Sequence, residues 1–173
     1  MKPLFTMLAN YNAWANLRLF EAVGALGEAD YRADLGAFFG SLHGTLNHLL
    51  VGDRVWLKRF SGQGDAPASL DAIIAEEFAD LRTERAKTDA AYVAFVAGLT
   101  EADLLAPFHY TTLTSPATIS QPLAPALLHA FNHQTHHRGQ AHALLTRLTG
   151  EAPPLDLIYF QRETGEGIRD WPA

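Results

Sequence analysis

The chain has 173 residues, of which 48% are apolar and 18% are charged, and its 13 basic and 19 acidic side chains give a formal net charge of −6. This length suits a single domain over residues 1–173. A nucleic-acid-binding protein would be expected to carry a basic face, and no Lys/Arg cluster occurs, so DNA binding is disfavoured. No segment has the roughly 20 apolar residues of a membrane span or the apolar core of a secretion signal. We therefore expect a cytoplasmic protein with no membrane partner.

The chain contains no cysteine. This excludes a disulfide framework, a thiolate zinc site and a catalytic cysteine. Any metal ion must therefore be bound through nitrogen and oxygen atoms. If the chemistry uses a thiol, that thiol must arrive as a separate small molecule.

Three long helices are predicted in the first hundred residues. The first spans about Pro3–Leu26, where proline suits the first turn and apolar residues recur every three or four positions. The second spans about Ser41–Phe60 and ends at a Gly-containing loop. The third begins at Ser69, a residue type favoured as an N-cap, and continues to about Leu99 as an amphipathic helix with a solvated outer face.

The composition changes before the last long helix. Residues 108–120 are rich in Thr, Ser and Tyr and have prolines around them, which predicts an irregular excursion or a short hairpin of two weak strands. The fourth long helix spans about Pro122–Leu148, and a short helix follows at roughly Leu155–Thr164. Four long helices with short connections predict an all-α fold, a four-helix bundle.

Five of the eight histidines lie close together in the fourth long helix, at His129, His133, His136, His137 and His142. Because each helical residue turns by about 100°, the first four of these share an arc of roughly 140° with Asn132 and Gln140, whereas His142 points elsewhere. Apolar residues continue this arc on both sides of the cluster, at Ala126, Ala143 and Leu144. The pattern predicts a core-facing stripe with a polar patch in it. Such a patch needs a partner, and a metal ion would supply one.

His133 and His137 have the i, i+4 spacing by which one helix supplies two imidazole ligands to one cation. The segment also has the spacing of the zinc-protease motif H-E-x-x-H. However, Gln134 occupies the position of the glutamate that acts as general base. An amide cannot accept a proton from water, so a zinc protease of this type is disfavoured.

A third ligand must come from another helix, and the second helix offers His43 and His48. His48 shares a face that is predicted to be buried with Gly44, Gly52 and Val55. His43 is rotated from it by about 140°, so we expect His48 to be the ligand. Three neutral imidazoles leave one coordination position open, as in catalytic zinc sites. The alternatives are that His48 is a hydrogen-bonded core residue and that the histidine pair is a polar seam.

The remaining histidines have other predicted roles. His129 and His136 are predicted to be partners of the ligands, alternative ligands or a general base. His109 and His142 are expected on the surface. The donor set alone suits zinc, nickel, copper or iron.

Several segments of this sequence resemble the DinB-like family, also described as DinB/YfiT-like metalloenzymes. The resemblance spans nearly the whole chain and is most specific at residues 131–140, Phe-Asn-His-Gln-Thr-His-His-Arg-Gly-Gln. The other matching segments are Tyr11–Asn16, Leu46–His48 with Asp53, Arg54 and Trp56, and Asp156–Phe160. The resemblance implies a bundle in up-down-down-up order with a long crossover, usually a homodimer.

The same resemblance implies a divalent metal ion, zinc before nickel or another transition metal, on His48, His133 and His137. Some members of the family are thiol-dependent transferases or isomerases. The preferred function is therefore a metal-dependent enzyme that conjugates a low-molecular-weight thiol to an electrophile, with metal-assisted hydrolysis as runner-up and His136 or His129 as candidate general base. The alternatives are a non-catalytic metal-binding stress-response module and an interaction protein without metal.

Overall fold

The computed structural model describes residues 1–113 and 117–168. The elements in these ranges are α1 (Lys2–Val23), α2 (Glu28–Arg32), α3 (Leu42–Ser61), α4 (Phe78–Gly98), α5 (Glu101–Leu105), β1 (Pro107–Thr111), β2 (Thr118–Pro122), α6 (Leu123–Thr149) and α7 (Leu157–Thr164). The predicted long helices correspond to α1, α3, α4 and α6. Among the described helices, none combines the length and the apolar character needed to cross a membrane.

The hairpin prediction is confirmed, because β1 and β2 pair antiparallel with Pro107 opposite Pro122 and Thr111 opposite Thr118. Two short helices, α2 and α5, were not predicted. The second of them had a readable signal: Thr100 accepts a hydrogen bond from the Asp103 backbone N–H while the Asp103 carboxylate accepts one from Thr100, a capping box.

The start of the third long helix was predicted wrongly, since α4 begins at Phe78, nine residues after Ser69, and the chain between them is irregular. Side chains of α3 bind the backbone of this segment. The Nδ1 atom of His48 lies 2.7 Å from the Leu70 carbonyl oxygen. The side-chain oxygen of Asn47 accepts hydrogen bonds of 2.8 and 3.1 Å from the backbone N–H groups of Ile74 and Ala75. These bonds compete with helical hydrogen bonding and hold the segment open.

Each of α1 and α3 packs against both α4 and α6. One apolar cluster joins the first halves of α1 and α6 to the second halves of α3 and α4. A second cluster joins the second halves of α1 and α6 to the first halves of α3 and α4. The helices α1 and α6 therefore run in one direction and α3 and α4 in the other, which is the up-down-down-up order. The short helix α7 packs on α1 through Phe160, Tyr11 and Ala15.

A layer of buried polar side chains lies between the two apolar clusters and receives residues from all four long helices. It consists of Asn12, Asn16, Asp53, Arg85, Asp89, Gln134 and Arg138. At its centre Arg85 forms ion pairs of 2.7 Å with Asp53 and 2.8 Å with Asp89. On the α1 side, Asn16 donates a 2.9 Å hydrogen bond to Asp89 and accepts one of 3.3 Å from Arg138. This layer ties the helices together at the level of the three histidines.

Candidate metal centre

The structure brings His48 of α3 together with His133 and His137 of α6. The ring centroids of His137 lie 4.4 Å from those of His48 and His133, and the His48 and His133 centroids are 5.2 Å apart. Each residue offers one ring nitrogen, and these three nitrogens all lie within 4.8 Å of one another. Two rings one turn apart on α6 thus lie beside a third ring from the neighbouring helix.

Gly52 makes the close approach of the two helices possible. It follows His48 by one helical turn and faces the His133 ring. A Cβ atom placed on Gly52 would lie only 2.8 Å from Cε1 and 3.2 Å from Nδ1 of His133. Glycine is therefore required here by the position of the His133 ring, since the backbone of this helix has an ordinary conformation.

The hydrogen bonds of two rings fix where their protons lie. The Leu70 carbonyl oxygen 2.7 Å from Nδ1 of His48 can only accept, so this Nδ1 carries the proton and Nε2 bears a lone pair. Likewise Nδ1 of His137 lies 2.7 Å from the side-chain oxygen of Gln140. The two Nε2 lone pairs then face each other across 3.2 Å.

Two facing acceptors at this distance repel unless a proton or a cation lies between them. Ligand nitrogens about 2.05 Å from a tetrahedral zinc ion lie about 3.3 Å from each other. The separation of 3.2 Å between the Nε2 atoms of His48 and His137 matches that value. The three histidines can therefore hold a divalent metal ion, with both Nδ1 atoms bound by acceptors as is usual for metal-binding imidazoles.

Burial keeps the three imidazoles neutral. It is the largest cause of a lowered pKa at His48 and His137, and with the nearby rings it lowers the pKa of His133 to about 3. A neutral imidazole has the free lone pair that a metal ion requires. At neutral pH the site is thus ready to bind a cation without first losing protons.

The shift at His133 predicts a pH dependence of stability for the metal-free protein. In the unfolded chain His133 binds a proton near its ordinary value of 6.5, whereas in the folded chain it does so only near pH 3. The stabilisation of the folded state that this shift produces is therefore complete above pH 6.5 and is lost as the pH falls towards 3. We expect urea unfolding with chelator present to show a larger loss between pH 7.5 and 5 for the wild type than for His133→Gln.

The wild type and His133→Gln must be compared at each pH, because Asp53 changes the stability of the fold with pH in the opposite direction. Burial raises its pKa from 3.8 to about 6, so its contribution is present at low pH and is lost as the pH rises through 6. That contribution is common to both proteins and cancels. The exposed His109 supplies the control His109→Gln, which should behave as the wild type. Equal losses in wild type and His133→Gln would contradict the prediction.

Gly52→Ala should weaken metal binding while preserving the fold. The new Cβ displaces the His133 ring from its position beside His48 and His137. Disturbing the support of a ligand costs about 10- to 100-fold in metal affinity, and we expect a loss of that size in a zinc titration. The control is Gly139→Ala on α6, where a Cβ meets nothing within 4 Å. It should leave zinc affinity unchanged and raise stability by about 0.5–1 kcal/mol; equal zinc affinity of Gly52→Ala and wild type would refute the account.

A cavity of about 520 Å³ opens over the three histidines. Its other lining residues come from the segment after α2, the loop before α4 and the hairpin: Phe38, Phe39, Ala68, Ser69, Leu70, Asp71 and Leu113. Phe39 is stacked on the His48 ring, with centroids 3.8 Å apart and planes inclined by 19°. A small molecule in this cavity can therefore reach all three imidazole rings.

The other predicted site residues lie outside this cavity. His136 is exposed; its ring centroid is 4.7 Å from that of His137, and its Nε2 atom is 3.3 Å from the Gln140 amide nitrogen. His129 is exposed too and lies against Trp56, with centroids 5.0 Å apart. His43 points away from the cluster, as its rotation on the helix predicted, and its Nε2 lies 3.3 Å from a backbone carbonyl oxygen.

The prediction that the histidine arc is core-facing was wrong in detail. Asn132, His136 and Ala143 are exposed, and the buried polar positions of α6 are Gln134 and Arg138. The cluster lies at the border between core and solvent, which gives it access to the cavity. His142, which was expected on the surface, is half-buried with Nε2 3.0 Å from the Pro153 carbonyl oxygen.

Gln134 has a structural role instead of the catalytic one of a glutamate. It is fully buried and donates a 2.8 Å hydrogen bond to the Leu49 carbonyl oxygen of α3. It therefore joins the two helices that carry the histidines. Sequence reasoning missed this bond, and it also missed Leu70 and Phe39, because a loop carbonyl and a stacked ring 9 residues from His48 leave no periodic signal.

The chain is similar in sequence to known proteins over nearly its whole length. The sequence profile of the DinB family matches residues 1–168. Protein DinB of Bacillus subtilis (strain 168) is 28% identical over 167 residues, which cover 91% of this chain and 94% of that protein. The match includes the helices that carry the three histidines, and the mainly helical bundle is the fold that the resemblance implied. The chain belongs to the DinB family.

Proposed function

We propose that this protein is a metal-dependent enzyme that conjugates a low-molecular-weight thiol to an electrophile. In this proposal His48, His133 and His137 hold one divalent ion, and zinc is preferred to nickel. The observation that carries the proposal is the pair of Nε2 lone pairs that face each other across 3.2 Å below an open cavity. When bound there, such an ion lowers the pKa of a thiol or water molecule and so supplies a nucleophile near neutral pH.

The residues of the chain prepare this site in three ways. The Leu70 carbonyl and Gln140 fix the tautomers of His48 and His137, so that both rings present Nε2 to the same point. Phe39 covers one face of the His48 ring and keeps it from turning. The cavity admits the reactants on the open side.

The thiol must come from outside, since the chain has no cysteine. In the proposed reaction the thiol gives up its proton, its sulfur forms a bond to an electrophilic carbon, and the group displaced from that carbon leaves with the bonding electron pair. Neither His136 nor His129 lines the cavity, so the proton must reach its acceptor through solvent. We assign it to His136 before His129, because the His136 ring is adjacent to His137 and contacts the same Gln140 amide. The pH–rate profile of His136→Gln should then lose one limb, whereas that of His129→Gln should keep it.

The test is a turnover assay with a chromogenic aryl halide and a panel of small thiols, performed on metal-free and zinc-loaded protein. We expect a rate above the uncatalysed background only in the zinc-loaded wild type and in the control His109→Ala. The variant His137→Ala should fall to background. Absence of a zinc-dependent rate with every thiol overturns the enzymatic proposal.

Two other functions appear as distinct outcomes of related measurements. Zinc-dependent cleavage of ester substrates without thiol transfer would favour hydrolysis. A cobalt-substituted protein whose spectrum does not respond to added thiols or small anions would favour a non-catalytic metal-binding module. The open cavity above the histidines supports an exchangeable position and therefore a catalytic role.

The homodimer and the cytoplasmic location stay predictions from the family resemblance and the composition. Light scattering coupled to size-exclusion chromatography measures the mass of the particle, which should be twice the 18.9 kDa of one chain. A mass equal to one chain would contradict the dimer.

A further inference from the structure

The cavity above the three histidines has an apolar wall that continues from a metal ligand to the rim. Phe39 is stacked on His48, and Phe38 contacts Phe39 edge-to-face with centroids 4.9 Å apart. At the rim, Phe38 is 86% exposed. Leu113 and Leu70, at 45% and 39% exposed, are the other large apolar side chains of the lining.

Large apolar side chains that are exposed together around a concave site mark a place where a ligand covers them. When the sulfur of a ligand lies at the histidines, the rest of the molecule extends past Phe38, Leu70 and Leu113 towards the rim of the cavity. The part of the ligand that lies beyond the sulfur is therefore expected to be apolar, and it gains contact with the face of the Phe38 ring.

The described lining of the cavity carries a negative charge and no positive one. Among the described lining residues Asp71 has the only charged side chain, since the three histidines are neutral and there is neither lysine nor arginine. Asp71 is exposed and accepts a hydrogen bond from the Ser69 hydroxyl. Arg59 contacts the hairpin but does not line the cavity: it stacks over Trp56 and donates a 3.0 Å hydrogen bond to the Thr111 carbonyl oxygen.

An anionic tail on the thiol thus meets a carboxylate and no basic side chain, whereas a cationic tail meets both a carboxylate and an aromatic face. A cation over the face of an aromatic ring is attracted to it, and an exposed ion pair adds a modest further attraction. Both effects favour the same kind of ligand.

We propose that this cavity selects a thiol whose far end is apolar and cationic, and that Asp71 and Phe38 are the residues that determine this specificity. The proposal rests on the proposed thiol chemistry, since it describes the other end of the molecule that binds at the histidines. It assigns to Asp71 the recognition of positive charge and to Phe38 the recognition of the apolar surface around that charge.

The test measures thiol binding to cobalt-substituted protein through the sulfur-to-cobalt charge-transfer band, which requires no turnover. Three thiols of similar length are compared: thiocholine, its neutral isostere 3,3-dimethylbutane-1-thiol, and 3-sulfanylpropane-1-sulfonate. The quaternary ammonium of thiocholine cannot coordinate a metal, but it lowers the pKa of the thiol and so favours sulfur binding in every variant. This intrinsic difference cancels when the preference for thiocholine is compared between variants. The quantity of interest is the ratio of Kd values between the neutral and the cationic thiol, and how each variant changes that ratio.

We expect Asp71→Asn to lower this ratio by about two- to fivefold, as for an exposed ion pair. The matched control Asp65→Asn removes an exposed carboxylate from the same loop region but outside the cavity and should leave the ratio unchanged. Phe38→Ala should weaken the binding of both thiocholine and its isostere by about two- to tenfold, whereas Phe38→Tyr retains it.

The outcomes separate the two proposals. If thiols bind but the sulfonate binds best, or if Asp71→Asn and Asp65→Asn have equal effects, the specificity inference is overturned and the thiol chemistry stands. If none of the three thiols produces a charge-transfer band, the thiol chemistry fails and the specificity inference fails with it.

Discussion

Arg85→Ala should lower the free energy of unfolding by about 3–5 kcal/mol, the cost of removing one partner from a buried ion pair. Arg85 is 2% exposed and is paired with Asp53 and Asp89, which are 2% and 7% exposed. Without the guanidinium, two carboxylates remain in a layer enclosed by four helices. Each then either stays charged without compensation or must take up a proton. Urea unfolding at pH 8 measures the loss.

Protonation of Asp53 and Asp89 offers a further check on the cause of this loss of stability. Burial already raises the pKa of Asp53 to about 6 and also raises that of Asp89, in spite of the lowering effect of Arg85. Removing Arg85 should raise both further, so at pH 5 the carboxyls are neutral and part of the deficit disappears. The difference between wild type and Arg85→Ala should therefore be smaller at pH 5 than at pH 8.

Arg82 supplies the control, because it is exposed on the same helix one turn earlier. Arg82→Ala should change the free energy of unfolding by no more than about 0.5 kcal/mol. A deficit for Arg85→Ala that is similar to this control, or that is the same at both pH values, would show that the buried pair does not join the helices in the way we describe.

The second large effect concerns the three ligands. His48→Ala, His133→Ala and His137→Ala should each reduce zinc affinity by more than about 100-fold, because the loss of a mere partner of a ligand already costs about 10- to 100-fold. At a free zinc concentration of about 1,000 times Kd, binding stabilises the folded wild type by about 4 kcal/mol. Each variant should lose most of this stabilisation, which thermal unfolding with and without zinc measures directly.

Two histidines serve as matched controls for these variants. His109 is exposed on the hairpin, and His43 lies on α3 five residues before His48 but points to another part of the chain. His109→Ala and His43→Ala should keep full zinc-dependent stabilisation. If His43→Ala abolished zinc binding while His48→Ala retained it, the assignment of the α3 ligand would be wrong.

The long helices could be predicted from the sequence because their apolar residues recur with helical spacing and their ends have Gly or Ser in the expected places. The N-cap Ser41 and the left-handed Gly62 and Gly150 bound α3 and α6 as the sequence suggested. The start of α4 could not be predicted. Ser69 is a favourable N-cap locally, but side chains from α3 bind the following backbone, and that contact joins residues far apart in sequence.

The three histidines could be proposed from spacing, because residues four apart lie on one face of a helix and the buried face of α3 contains His48 and Gly52. The environment of the site could not. The histidine arc was placed at the centre of the buried face, but α6 buries Gln134 and Arg138 instead. Period alone gives the relative angles of residues on a helix; which angle faces the core depends on its neighbours.

The cavity and the polar layer could not be predicted from the sequence for the same reason. Arg85 and Asp89 belong to the helix that was predicted to be amphipathic with a solvated outer face, and both are buried because Asp53 and Asn16 of other helices pair with them. Likewise Phe38 and Phe39 precede α3 in a short irregular segment whose position over His48 follows only from the fold.

The most direct test of the account is a crystal structure of the zinc-loaded protein with anomalous scattering measured on both sides of the zinc absorption edge. We expect one zinc ion per chain, within about 2.0–2.1 Å of one nitrogen from each of His48, His133 and His137 and with its remaining position facing the cavity. A zinc ion bound elsewhere, or rings of these three residues that remain in place with no zinc between them, would contradict it.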